Sequence, residues 1–457
     1  MIREPNVKSI AMIDDSKAEL DRLAELAGEL VGKAVQAGAS QAEVSASVSA
    51  GLNVNVRLGD VETVERTQDR GFGLTVYFGQ RKGSASTADL RPESIRATLE
   101  QACAIARHTE EDPCTGLADA GRMAQVFPDL DLWHPWSPDV DACIALGKRI
   151  EAAGRAHEGI SNSEGATVST EAGVSVYANS HGFVGRERGT RHTLSCALIA
   201  GRGDGMQRDY WYDSRRARED LMDAEALGET AARRTLARCG ARSMSTRTCP
   251  VLFAPPVARG LIGHLLGAVS GGALYRRASF LLDTIGQAIL PSWLDIHECP
   301  HVPRGQASAA FDAEGVATRP SSLVENGVLQ RYLLGSYAAR KLGLSSTGNA
   351  GGAHNIVVGH GDDDFDAMLA RLGSGLLVTE VMGQGVSLVT GDYSRGAAGF
   401  WVENGEIVHP VQEVTIAANL RDMFRDMLAV GSDVDHRSSV LTGSILVARM
   451  TVAGEGG

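Results

Sequence analysis

The chain has 457 residues, 43% of them hydrophobic, with 53 glycines, 14 prolines and a formal net charge of −12. That length exceeds one comfortable core and predicts two or three domains. The acidic balance argues against general nucleic-acid affinity, which needs concentrated positive surface, and the absence of a strict glycine period excludes a collagen-like chain. Seven scattered cysteines, at 103, 114, 143, 196, 239, 249 and 299, fit reduced intracellular thiols better than a disulfide framework. No apolar run approaches about 20 residues, and acidic residues appear before any signal-peptide core, so a soluble cytoplasmic protein without a membrane span is expected.

Residues 20–37 carry Leu, Ala and Val at helical spacing, and Gly38 is a plausible stop. Residues 43–48 and 52–58 alternate like strands, and 72–78 and 84–87 continue the meander. Pro92 then opens a helix to about His108. The same order recurs about 100 residues later: a helix over 139–156, alternating segments at 167–169, 173–177 and 193–199, and a helix over 220–238. Gly71-Phe72-Gly73 and His181-Gly182-Phe183 both read as lying between strands. The recurrence predicts a helix–antiparallel-sheet–helix duplication, with chance repetition of α+β elements as the competing account. Gly201 to Gly205 reads as a hairpin turn rather than a phosphate loop, and Arg215-Arg216-Ala217-Arg218 as a solvated helix face.

Beyond Thr248 a short apolar strand leads through Pro255-Pro256 into Gly-spaced helices over 255–290. Many short strands follow, at 354–358, 375–379, 398–402 and 443–452, with one helix at 420–428 and an Asn404-Gly405 turn. The expected fold class is α+β: N-terminal helices with antiparallel sheet, then a β-rich C-terminal region forming a twisted sheet or barrel. Domain boundaries are placed at 1–115, 116–245 and 246–457.

Three stretches carry candidate chemistry. His297-Glu298-Cys299-Pro300-His301 has the His-Glu, two residues, His spacing of a zinc helix, but Pro300 denies it a regular helix. It reads as a strand end running into a loop, and its two imidazoles, carboxylate and thiol remain an alternative metal site. Ser345-Ser346-Thr347-Gly348-Asn349-Ala350-Gly351-Gly352 offers backbone donors and little bulk, which suits contact with an extended peptide. The adjoining His354 would need an orienting acid to activate a hydroxyl. Gly359-His360-Gly361-Asp362-Asp363-Asp364 reads as a solvated turn ahead of a cation loop. The third stretch, VLFAPPVARGLIGHLLGAVSGGALYRRASFLLD, contains Arg259, Gly260 and His264.

That segment, together with residues 336–349 and FWVENGEIVHPVQEVTIAAN, resembles the TldE/PmbA side of the TldD/PmbA (TldE) peptidase family. The resemblance extends over most of the chain. It implies dimers enclosing a central cavity and action on unfolded peptides by a pair of subunits. In TldD-type relatives the helix carries a His-Glu pair and a second His five residues after the first, and a distant C-terminal Cys completes the zinc set. His264 matches the second His, but Arg259 and Gly260 stand where His and Glu are expected, and no cysteine follows Cys299. The resemblance therefore implies a subunit without catalytic residues or cofactor of its own. It would support a zinc-bearing TldD-type partner as a heterodimer, or form a homodimer in isolation. The alternative is a stand-alone homodimeric peptide-binding protein or weak metallopeptidase. Residues five apart on an ideal helix lie about 140° apart, so a helix bulge is also expected near His264.

Overall fold

The computed structural model describes residue 13 and residues 15–455. The chain divides into two compact units, one drawn from residues 1–124 and 131–236, the other from 125–130 and 237–457.

The first unit contains α1 (Ser16–Gln36), β1 (Gln41–Arg57), β2 (Asp60–Phe78), β3 (Arg81–Thr87) and α2 (Pro92–His108). It continues with α3 (Val140–Arg155), β4 (Ile160–Asn179), β5 (Val184–Ala200), β6 (Gln207–Arg215) and α4 (Ala224–Ala237). Helix α1 starts because the Asp15 carboxylate accepts the amide hydrogens of Lys17 and Ala18 at 3.0 and 2.9 Å. Its Leu23, Ala27, Leu30, Val31 and Ala34 then recur at three- and four-residue spacing and are buried. The strands form one antiparallel sheet in the order β3-β2-β1-β4-β5-β6, with β1 and β4 as neighbours at its centre. Helix, three strands, helix thus appears twice on a single sheet, in the arrangement the sequence recurrence predicts.

Two local expectations are corrected. Gly71, Phe72 and Gly73 do not lie between strands; they sit inside β2, opposite Ser47, Ala46 and Ser45, whereas His181 and Gly182 form the turn between β4 and β5. The arginine run is not a helix face either. Arg215 ends β6, paired with His192 of β5, because the antiparallel pairing that begins with Gln207 opposite Ala200 continues through it. Desolvation pushes the Arg216 guanidinium down to about 10, with the nearby Arg191 charge acting in the same direction.

The second unit begins with β7 (Ser245–Phe253), α5 (Pro255–Ala268), α6 (Gly271–Tyr275), β8 (Ile296–Glu298), β9 (Ser321–Glu325) and β10 (Val328–Leu329). It goes on through α7 (Ser336–Leu342), β11 (Ile356–Val358), α8 (Phe365–Leu372), β12 (Gly375–Met382), β13 (Asp392–Glu403) and β14 (Glu406–Asn419). It ends with α9 (Leu420–Arg425), β15 (Met427–Val430), β16 (Val440–Leu441) and β17 (Ile445–Glu455). One sheet runs β14-β13-β12-β7-β17-β15, and an added β14–β17 pairing closes five of its strands into a barrel. A second, smaller sheet runs β10-β9-β8-β11-β16. Val251 and Ile445 of the barrel, Ile262 and Leu265 of α5, and Ile296, Val324 and Ile356 of the smaller sheet share one core.

The β13–β14 turn follows the expected chemistry, with Asn404 at φ 52° and Gly405 at φ 81°. The helices expected over 255–290 end at Tyr275. Arg277, Asp283 and Gly286 take φ values of 56°, 60° and 79°, which no α-helix sustains. Among the described residues no helix is long and apolar enough to cross a membrane.

Candidate functional site

Helix α5 follows an extended Ala254 and has proline in its first turn, where the missing amide hydrogen costs nothing. Ala258, Leu261, Ile262, Leu265 and Ala268 bury one face, leaving Gly260 and Gly263 exposed and Arg259 and His264 half-buried. The expected bulge is absent: Pro255–Ala268 is α-helical throughout. Arg259 and His264 therefore stand about 140° apart around the axis and share no face. The His264 ring packs edge-on against Tyr393, centroids 5.8 Å apart. Burial, with the Arg395 charge, lowers its pKa, which favours a neutral packing residue. The Arg259 charge is felt instead by Asp435, a buried carboxylate bonded to Arg437 at 2.8 Å. A cation and a glycine at these positions do not fit a zinc ion. Among the described residues no three His, Cys, Asp or Glu side chains gather closely enough to hold a metal.

His297 and Glu298 lie on β8 and the chain turns at Pro300, as the proline implies. Alternation along the strand sends His297 outward, 3.3 Å from the Ser322 hydroxyl, and Glu298 inward. His301 bonds Thr318 at 3.0 Å. Burial, and then the Glu298 charge, push the half-buried Cys299 thiol upward in pKa. The strand geometry thus sets the motif's two histidines on separate partners.

Glu298, only 2% exposed, is the hub of a polar network. Its Oε1 accepts the His354 amide hydrogen at 2.7 Å, the His354 ring at 3.0 Å and the Asn349 side-chain amide at 2.8 Å. Its Oε2 accepts from Arg331, which also donates to Asn349 Oδ1 at 2.9 Å and Ser321 at 2.8 Å. Burial works against the Glu298 charge, but the His354 bonds and the Arg331 guanidinium prevail and hold its carboxyl at about 2. An ionised carboxylate accepts only, so His354 turns a protonated Nδ1 to Glu298 and leaves Nε2 on the far side of the ring.

The orienting acid that the Ser/Gly run lacked in sequence is therefore Glu298, supplied by the run's own neighbour in the fold. Sequence reading missed Arg331, a lone charge between Leu329 and Tyr332, whose only signal was its apolar surroundings.

The run itself divides in two. Asn349, Gly351, Gly352 and His354 line a cavity of about 620 Å³, together with Leu266 and Gly267 of α5, Ser270, Glu314, Tyr337 and Ser439. Ser345, Ser346, Thr347 and Gly348 are not on its wall. Ser346 is buried and donates to Leu334 O at 3.1 Å, and Thr347 bonds Asn349 at 2.8 Å, so these hydroxyls secure the loop. Gly351 and Gly352 have φ values of 94° and 125°, which side chains rarely adopt. The Ala350 amide donates to Asp312 at 2.9 Å, and desolvation raises that buried carboxyl to about 6 despite its amide bonds.

A two-part N-terminal region, a closed C-terminal barrel and a degenerate helix beside a glycine-walled cavity define the class. Three consecutive family models match: PmbA/TldA metallopeptidase domain 1 at residues 42–106, the central domain at 133–238 and the C-terminal domain at 246–454. The chain belongs to the PmbA/TldA metallopeptidase family. It is 48% identical to a protein of Escherichia coli O157:H7 named metalloprotease PmbA, over 98% of this chain and 99% of that one. A metalloprotease PmbA homolog of Haemophilus influenzae is likewise 48% identical, over 99% and 100%. A solved protein of Bacteroides thetaiotaomicron, described as a candidate modulator of DNA gyrase, superposes with a TM-score of 0.90 at 27% identity, covering 95% and 99% of the two chains.

Proposed function

We propose that this chain is the supporting subunit of a two-subunit peptidase whose zinc is held by a TldD-type partner. In this reading the heterodimer acts on unfolded peptides and small proteins, and the cavity wall at Gly351 and Gly352 lies against the extended substrate. One observation carries it: α5 keeps the helix of the family but presents a cation at Arg259 and no side chain at Gly260, so neither position can ligate a metal or activate water. The bare backbone of Gly351 and Gly352 supports the peptide contact, since an extended chain can approach it closely.

The test compares this chain, the TldD-type subunit and their mixture for bound zinc and for hydrolysis of long unfolded peptides. Zinc is expected with the partner, and full turnover only in the mixture. Substitution at Gly351 or Gly352 would strain the backbone whatever it contacted, so Ala353→Leu on the same cavity is the cleaner probe. It should lower turnover several-fold with dimer mass and zinc content unchanged. About one zinc per isolated chain, or full-rate hydrolysis by the TldD-type subunit alone, would overturn the reading and leave the homodimeric peptide-binding protein.

A further inference from the structure

Glu314 stands on the wall of the cavity. The Ser336 amide donates to its Oε2 at 2.8 Å, which fixes the carboxylate. Among the described residues, Oε1 accepts no hydrogen bond and no cationic side chain pairs with Glu314. Two basic groups beside the cavity residues Tyr337 and Gly272 are stacked on aromatic rings: Arg276 over Tyr275 at 5.4 Å, and Lys341 over Tyr337 at 5.3 Å. Two residues before Glu314 lies Asp312, 3% exposed, whose carboxyl is raised by burial. A carboxylate without a cation, next to a second buried acid, makes this side of the cavity attractive to positive charge. His354, whose Nδ1 Glu298 holds, also lines this cavity, and its Nε2 makes no hydrogen bond within the described residues.

We propose that the cavity captures a primary ammonium group of an extended peptide, with Glu314 Oε1 as its counter-charge and His354 Nε2 as a polar contact for the same chain. The inference rests on the peptide-contact reading above and narrows it to peptides carrying such a group. The ammonium belongs either to the chain's amino terminus or to a lysine side chain; the chemistry of capture is the same. Glu298 never touches the ligand in this scheme and acts as a positioning residue.

The experiment is calorimetric titration of the purified full-length chain with four forms of one unstructured ten-residue peptide. Two lack lysine and carry a free or an acetylated amino terminus. Two are amino-terminally acetylated and carry one lysine, unmodified or Nε-acetylated. A charge-assisted bond to a fixed carboxylate should make at least one ammonium-bearing peptide bind about tenfold tighter than its acetylated twin. The first pair reports the terminus and the second the side chain. Glu314→Gln, which keeps the acceptor for Ser336, should abolish the ratio and leave the acetylated peptides unaffected. Equal affinity for all four would overturn the ammonium site while leaving the peptide contact standing, and no binding of any form would overturn both. A preference retained in a folded E314Q chain would overturn the assignment to Glu314. If that variant melts early, the ratios on the unaltered chain still decide.

Discussion

The His354 ring nitrogen Nδ1 lies 3.0 Å from Glu298 Oε1, and both side chains are at least nine-tenths shielded from solvent. In sequence the two belong to separate features, a false zinc-helix motif and a glycine-rich run. In the fold the first orients the second, and Arg331 on the opposite oxygen balances the charge.

Removing that charge has a signed consequence. Glu298→Gln leaves the Arg331 guanidinium partly buried without its counter-ion and should cost about 3 kcal/mol at neutral pH. The Glu298 carboxyl is held at about 2 against an ordinary value of 4.5. Its stabilisation is therefore complete above about 4.5 and lost as pH falls toward 2. Denaturant unfolding at a series of pH values should show this acid-side slope in the wild type and a flatter one in E298Q.

His264 gives the opposite test of a titrating group. Its folded pKa is lowered by burial, then by Arg395, so below about 6.5 the unfolded chain binds the proton more readily and stability falls. His264→Ala should lose about 1 kcal/mol at pH 7.5 through the missing Tyr393 contact. The variant should be less acid-sensitive than the wild type between pH 7.5 and 5.5, and the zinc content of the mixed assembly should not change. Loss of zinc would restore a ligand role to the ring.

The His297 to His301 segment should prove dispensable for catalysis except through Glu298. His297→Ala and Cys299→Ser together should shift stability by less than about 0.5 kcal/mol. His301→Ala should cost about 1 kcal/mol for its bond to Thr318. Peptide turnover by the mixture should survive all three; its loss in a folded, assembled triple variant would contradict this placement.

Barrel closure is exposed to a single methyl group. A Cβ on Gly399 would sit 1.8 Å from Leu377 O, where the β12–β13 register shifts. Gly399→Ala should destabilise the chain by more than about 3 kcal/mol. Circular dichroism and limited proteolysis would show it, and a native-like melt would mean that the bulge can move aside.

Local chemistry was legible from the residues alone. The Leu, Ala and Val periodicity of α1, the start of α2 at Pro92, the Asn404-Gly405 turn and the break at Pro300 follow from backbone and side-chain preferences acting over a few positions. The doubled N-terminal pattern was readable for the same reason, since each half repeats its own helix and strand periods. Long-range pairing carries no such local trace. The closure of β14 on β17, the setting of Gly71 within β2 and the end of the helices at Tyr275 depend on partners far along the chain. The site divides the same way. Arg259 and Gly260 announce in sequence that α5 is not a zinc helix, whereas the network of Glu298, Arg331, Asn349 and His354 exists only because the fold buries a carboxylate that must then find cationic and amide donors.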